Sequence, residues 1–368
     1  MSITSQLQKA LIEKAKQLRK PISVNFELLP VCNLKCKMCY IRTDTETVDR
    51  MGGLLSADDW ITIAKGFKEQ GSLFLLLTGG EVFLYPEFKR LYVELFKMGF
   101  SITINTNGTL IDEKAVSWLR QYPPKCISIS LYGASNETYE RLCGIRNMFS
   151  RVDHAVKLLY DNQIRFEFKT MLTPLNAHDA DACLAYARRY GVYYEQAAYA
   201  FPPLRKSGED QQCRFTAEEA AEQTIGVNLR MAKPEEFREG IVKHLKKYED
   251  TRHISGTALY GFTCGATRSS CWITWRGHMT PCAMLEWPFT KPINQGVLPA
   301  WEELKEKCDT LLMSNKCSYC DKRGVCTTCP AANRAETGSF EECSEYHCKM
   351  TECILNEMRK KMNEWNEQ

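Results

Sequence analysis

The sequence predicts an α/β protein, a parallel sheet covered by helices and followed by a small cysteine-rich region. Three observations carry this. Strand-like and helix-like patterns alternate six times between about residues 22 and 200, an order that builds a parallel sheet. Three thiols stand together in the run Cys32-Asn33-Leu34-Lys35-Cys36-Lys37-Met38-Cys39, directly after the first strand pattern. Eleven of the eighteen cysteines lie from Cys264 to Cys353, where the composition changes.

Taken in order, Ser2 to Lys20 reads as an amphipathic helix (Leu7, Leu11, Ile12, Ala15, Leu18) too charged to be an export signal. The expected strands are Ser23 to Leu28, Leu73 to Leu77, Ser101 to Asn105, Cys126 to Leu131, Arg165 to Leu172 and Val192 to Tyr199. Helical patterns separate them, and Ser56 with Asp59 marks a capped start for the first. Asn25, Glu27, Thr103, Asn105, Ser128, Ser130, Glu167 and Lys169 alternate with apolar neighbours. The apolar set is expected outward against helices, which leaves a polar lumen suited to a polar ligand. Ala200 to Gln212 reads as a connector, Thr216 to Tyr248 as helical, and a domain boundary is expected near residue 255.

A chain of 368 residues, 44% apolar and 25% charged, is long enough for one large domain or two. A net charge of +3 gives no case for nucleic-acid binding. No apolar run approaches the ~18 residues that span a bilayer. Eighteen cysteines without an export signal predict a reducing, cytoplasmic setting and metal binding rather than disulfides.

The triplet Cys32, Cys36, Cys39 has the spacing C-x3-C-x2-C. Three such thiols hold three irons of a cubane cluster and leave the fourth iron open for chemistry. The other readings are a zinc site or reactive thiols. Zinc wants a fourth Cys or His close by, and none lies within the next dozen residues. After the second strand comes Thr78-Gly79-Gly80-Glu81, where glycines admit close backbone approach and Glu81 offers an acceptor. The C-terminal ends of parallel strands are where such sites form.

These motifs resemble those of radical S-adenosylmethionine (SAM) enzymes. The resemblance implies a partial (β/α)6 TIM-like barrel in which Cys32, Cys36 and Cys39 bind a 4Fe-4S cluster and SAM chelates the open iron. An electron from the cluster then splits SAM to methionine and a 5'-deoxyadenosyl radical, which abstracts hydrogen from substrate. Thr78, Gly79, Gly80 and Glu81 match the motif that binds the SAM amino group. Asn107 and Ser130 resemble positions around the ribose and carboxylate. Arg141 is the candidate two-point partner for that carboxylate, a solvated helix charge being the other reading, and Lys169 joins the cofactor-binding set. Met38 departs from the aromatic residue usual before the third cysteine, and Tyr40 is expected to take over packing near the adenine.

The later cysteines resemble the SPASM-type extension of this family, which binds two auxiliary 4Fe-4S clusters and brings the expected total to three. By resemblance, Cys317, Cys320, Cys326 and Cys348 hold one, while Cys264, Cys282 and Cys329 belong to the other. The family pattern has three residues between the third and fourth cysteines of the central group, and here there are two. The competing reading is a zinc ribbon of two C-x2-C pairs. Trp275-Arg276-Gly277-His278 reads as a two-residue hairpin turn, which sets Cys271 opposite Cys282 as that cluster's fourth ligand. The alternative leaves the position open to a substrate thiol. The remaining cysteines, Cys343 among them, are expected to be buried thiols. Cys143, near the expected cavity mouth, is a candidate proton or hydrogen donor.

The organisation expected is an N-terminal helix (1–21), the barrel (22–213), a helical connector (214–255) and the auxiliary-cluster domain with a C-terminal helix (256–368). The resemblance implies a peptide- or protein-modifying enzyme. The first expectation is a maturase forming a thioether or carbon–carbon crosslink in a ribosomally made peptide. A sulfatase-type maturase forming formylglycine, or an enzyme modifying a cofactor precursor such as a porphyrin, are the rivals. The expected partners are the substrate, an external electron donor of flavodoxin or ferredoxin type, and a separate leader-peptide-binding protein. With only about twenty residues before the first strand, leader recognition is expected to fall to such a separate protein or to the barrel rim itself. A non-enzymatic iron–sulfur or zinc module is disfavoured by the Gly-Gly-Glu motif and the polar lumen.

Overall fold

The alternation seen in the sequence builds one sheet. The computed structural model describes residues 6–202, 213–253 and 261–367. Its strands are β1 (Ser23–Glu27), β2 (Phe74–Thr78), β3 (Ser101–Thr106), β4 (Cys126–Ser130), β5 (Phe166–Met171), β6 (Tyr194–Ala197), β7 (Ser270–Ile273) and β8 (Met279–Thr280). They lie in the order β6-β5-β4-β3-β2-β1-β7-β8. The first six follow one another in parallel, each within a few residues of its expected span.

Helix α1 (Gln6–Leu18) precedes the sheet. The crossovers carry α2 (Thr45–Arg50), α3 (Ala57–Glu69), α4 (Phe88–Lys97), α5 (Glu113–Gln121), α6 (Asn136–Cys143), α7 (Met148–Asp161) and α8 (Ala180–Tyr190). Ser56 and Asp59 form the expected capping box on α3. Spacing of three and four residues puts Phe88, Leu91, Tyr92 and Leu95 on the buried face of α4. These faces meet the apolar face of the sheet, where Val24, Phe26, Ile104, Ile127, Ile129 and Phe168 are at most 1% exposed. Each such side chain contributes about 1.5–3 kcal/mol through burial.

The opposite face is polar, as expected. Asn105 stands opposite Ser128, Ser128 opposite Glu167, and Lys169 opposite Ser130 and Glu195. Trp272 donates its indole N–H to the buried Glu27 carboxylate at 2.9 Å.

Beyond the barrel lie α9 (Ala217–Met231) and α10 (Pro234–Thr251), two helices where one charged stretch was expected. Pro234 opens α10, because proline fits the first turn, where its missing N–H costs nothing. The C-terminal region adds α11 (Pro292–Gln295), α12 (Val297–Asp309), α13 (Asn315–Ser318), α14 (Pro330–Thr337) and α15 (Glu345–Asn366), and α15 packs along α9. Most of the expected connector (203–212) and the boundary near residue 255 lie outside the described residues. The cysteine-rich region does not stand off from the barrel, since β7 pairs in parallel with β1 and extends the sheet. No helix among the described residues is long and apolar enough to cross a membrane.

The β7–β8 hairpin corrects one expectation. Thr274 and His278 close a three-residue loop, Trp275-Arg276-Gly277, with Gly277 at φ +73°. That is a turn with a bulge, not a two-residue turn. The register becomes Trp272 opposite Thr280 and Ile273 opposite Met279, which sets Cys271 level with Pro281 rather than Cys282. A one-residue slip sends a side chain to the other face. Cys271 is 0% exposed within the apolar core, and burial alone raises its pKa. It is a core residue, not a partner of Cys282.

Candidate radical SAM site

Strand β1 delivers the chain to the loop of Cys32, Cys36 and Cys39 at the C-terminal edge of the sheet. The loop backbone is pinned to α6: Lys35 N–H donates to the Cys143 carbonyl at 2.8 Å and Lys37 N–H to Leu142 at 3.0 Å. All three thiols line a cavity of about 340 Å³. Thr78, Gly79, Gly80, Asn107, Ser130, Lys169 and Tyr40, all expected on sequence grounds, line it too. A larger depression of about 960 Å³ lies at the other ends of β5 and β6, away from the thiols.

The glycines serve the chain's own packing first. A Cβ on Gly79 would overlap the Leu29 carbonyl, and one on Gly80 the Val31 carbonyl. Gly80 N–H donates to Leu29 O at 2.7 Å and Glu81 N–H to Val31 O at 3.0 Å, which locks the loop after β2 onto the approach to the cysteines. Gly80→Ala should therefore cost about 2–3 kcal/mol of stability, because a backbone wall cannot repack. It should also weaken SAM binding about tenfold or more, the worth of ~1.4 kcal/mol of misplacement. Calorimetric titration of SAM alongside a thermal melt checks both.

Glu81 is spent differently from expectation. It is fully buried and does not line the cavity. One carboxylate oxygen accepts from the Thr106 hydroxyl at 2.7 Å and Phe83 N–H at 3.1 Å, and the other from Asn107 N–H at 2.8 Å. Burial raises its pKa and these three donors oppose the rise. Glu81 thus ties the loop after β2 to the loop after β3 and acts on the cavity through Asn107. The Asn107 amide in turn donates to Asn33 Oδ1 at 2.9 Å and reaches Cys32 Sγ at 3.6 Å.

Two other expectations are corrected. Arg141 is exposed on α6, 2.7 Å from His178, and is not among the cavity residues. The guanidinium that the cavity holds is Arg42, just beyond the triplet; the Cys143 contact and burial hold the Cys36 thiol well above its usual range, and the Arg42 charge opposes them. Cys143 is not at the mouth; it is 0% exposed and its thiol meets that of Cys36 from behind. Glu195, unassigned in the sequence reading, sits 3.6 Å from Lys169, which is also 3.6 Å from Glu167. Its signal was present in the alternation of β6, where Glu195 and Ala197 share the cavity side.

The donor set suits clusters. Among the described residues, no three His, Cys, Asp or Glu are gathered as ligands of one metal ion are. A cubane asks for something different, one thiolate for each iron, held apart at its corners. Cys32, Cys264, Cys282, Cys320, Cys326 and Cys329 each accept a hydrogen bond from the backbone N–H two residues on. For Cys32, Cys282, Cys320, Cys326 and Cys329 burial raises the pKa, and these N–H donors oppose the rise, in the direction of the thiolate that a metal requires. Cys271 and Cys126 have no such donor among the causes of their shifts. Cys264, Cys282 and Cys329 form one electrostatic group, and Cys308 lies close enough to Cys282 to feel its charge. Cys320 and Cys326 group with Cys348, and so does Cys343, which was expected to be a plain buried thiol.

Residues 26–187 match the family model described as the radical SAM superfamily. The chain carries a radical SAM domain. That domain implies a 4Fe-4S cluster and SAM, and the triplet and cavity fit them. Over 321 residues the chain is 23% identical to the antilisterial bacteriocin subtilosin biosynthesis protein AlbA of Bacillus subtilis, covering 83% of this chain and 67% of that protein. Over 344 residues it is 24% identical to the AdoMet-dependent heme synthase of Methanosarcina barkeri, covering 89% and 96%. The fold is shared with Streptococcus suis SuiB bound to precursor peptide SuiA, at TM-score 0.66 and 16% identity over 93% of this chain and 80% of that one.

Proposed function

We propose that this radical SAM enzyme modifies a ribosomally made peptide by forming a thioether or carbon–carbon crosslink. The observation that carries the reading is the reach of the AlbA likeness, 83% of the chain, well past residue 187 and into the cysteine-rich region. AlbA is a bacteriocin biosynthesis protein, and a bacteriocin is a peptide. When bound, the triplet's cluster and SAM supply a 5'-deoxyadenosyl radical that takes hydrogen from the substrate. The chain's residues do the rest. The locked loops of Gly79–Gly80 and Asn107 orient the cofactor, Arg42 offers a two-point partner for its carboxylate, and Lys169 between Glu167 and Glu195 marks the polar wall facing it.

The same reading gives three clusters. Cys317, Cys320, Cys326 and Cys348 hold the distal one, and Cys264, Cys282 and Cys329 hold three irons of the other. With Cys271 in the core, that predicted set leaves one iron for a substrate thiol. An external flavodoxin- or ferredoxin-type donor supplies electrons. The organisation proposed is a barrel whose sheet is shared by a cysteine-rich C-terminal unit.

The reconstituted protein should hold about twelve irons. Incubated anaerobically with reductant, SAM and short cysteine-containing peptides, it should yield 5'-deoxyadenosine and a peptide lighter by two hydrogens. The heme synthase likeness supports the porphyrin reading, so an iron–porphyrin precursor is the second substrate to offer. Turnover of the porphyrin with no peptide product overturns the maturase reading, and an aldehyde-reactive product points to formylglycine instead.

A further inference from the structure

The distal group contains one thiol too many. By resemblance four cysteines serve its cubane, yet Cys343 Sγ lies 3.2 Å from Cys348 Sγ. The Cys343 thiol also meets that of Cys317. The fifth thiol is held in place by design of the backbone. Ser344 caps α15, accepting from His347 N–H at 3.2 Å, and its own N–H donates to Asn333 Oδ1 at 3.3 Å. Asn333 is fully buried, and its amide reaches Cys317 Sγ at 3.9 Å. One side chain therefore braces both the segment from Cys343 to Cys348 and another ligand of the same cluster.

At 3.2 Å the sulfurs of Cys343 and Cys348 are near enough for either to reach the same corner of a cubane. We infer that Cys343 and Cys348 are interchangeable ligands for a single iron of the distal cluster, one bound as thiolate while the other remains a thiol donating S–H···S to it. Exchange breaks the iron–sulfur bond to Cys348, forms that to Cys343 and moves one proton from Cys343 to Cys348. No electron is gained or lost and the net charge stays constant. The thiol in waiting is a donor to a ligand sulfur, which is one of the features that set a cluster's potential.

This inference rests on the distal cluster proposed above, and its test separates the two. Iron content and low-temperature electron paramagnetic resonance are measured on the anaerobically reconstituted full chain, on Cys343→Ala, on Cys348→Ala and on the double variant. Each single variant should keep the wild-type iron content, with a changed distal signal, and the double should lose one cluster's worth. Loss of that iron from either single variant overturns the inference, as does its retention in the double. Iodoacetamide treatment of the folded wild-type holoprotein, followed by peptide mapping, needs no variant. At this pair one alkylation per chain, shared between Cys343 and Cys348, is expected; modification of both, of neither or of Cys343 alone overturns the inference. A wild-type protein lacking the distal iron altogether would instead sink the distal-cluster reading.

Discussion

Cys36→Ser should reduce 5'-deoxyadenosine formation from SAM to background while leaving the fold in place and, on the three-cluster proposal, about two-thirds of the iron. The two halves of this outcome have separate physical origins. Activity is lost because three thiolates are the minimum that fixes a cubane while leaving one iron for SAM, and serine oxygen is a poor match for an iron site built for sulfur. The fold survives because the loop does not depend on its thiols. Its backbone is bonded to α6 through Lys35 and Lys37, and to the loop after β2 through Leu29 and Val31. Cys36 is buried against Cys143, where serine is smaller and isosteric, so no cavity large enough to collapse the loop is made. Iron analysis, circular dichroism and chromatographic detection of 5'-deoxyadenosine together decide it. Unchanged SAM cleavage would remove Cys36 from the ligand set. Loss of all the iron would show that the three thiol groups do not load independently.

How much of this was legible depended on whether a residue's role is set by its own neighbours in the chain. The six parallel strands were readable because two-residue alternation reports on a sheet directly; Gly79, Gly80, Asn107 and Ser130 fall at or just beyond strand ends and Lys169 within β5, but their assignment to the site came from the family resemblance and not from the pattern. The hairpin was readable but its register was not. A bulge at Gly277 shifts the count by one, and one residue is enough to move Cys271 from a cluster to the core. Arg141 and Glu81 failed for another reason. A helix charge close to a motif points wherever the helix turns it, and Arg141 is turned to solvent. A carboxylate beside a cavity goes first to the nearest unpaired N–H groups, and Glu81 found three donors on the neighbouring loop and on its own. Cys343 left no local signal, because five residues across a helix cap match neither the three- nor the four-residue spacing of a helix face.

Glu336→Ala should lower the stability of the junction between the barrel and the cysteine-rich region by about 3–5 kcal/mol, the usual cost of leaving one buried charge without its partner. The Glu336 carboxylate, on α14, takes both Arg214 Nη atoms, at 2.8 and 3.2 Å, and the Tyr199 hydroxyl at 2.6 Å. Side chains of Arg214 and Glu336 are only 17% and 10% exposed, so solvent screens the pair little. Arg214 also stands 4.3 Å over the Tyr346 ring, and Tyr199 packs 4.5 Å from the His347 ring, one residue before Cys348. Through Glu336 on α14 the structure thus joins Tyr199, just beyond β6, and Arg214, just before α9, beside the start of the helix that carries Cys348. Removing the carboxylate leaves a guanidinium in a site that has lost its counter-charge. Glu336→Gln should restore part of the loss, since an amide still accepts from Tyr199, whereas Arg214→Ala combined with Glu336→Ala should cost less than the two changes summed. Because a protein with bound clusters need not unfold in one step, the measure is the temperature at which iron–sulfur absorbance is lost, followed beside the loss of helix signal. A Glu336→Ala protein that keeps both temperatures would show that burial of the surrounding rings, and not the ion pair, holds the cysteine-rich region to the barrel.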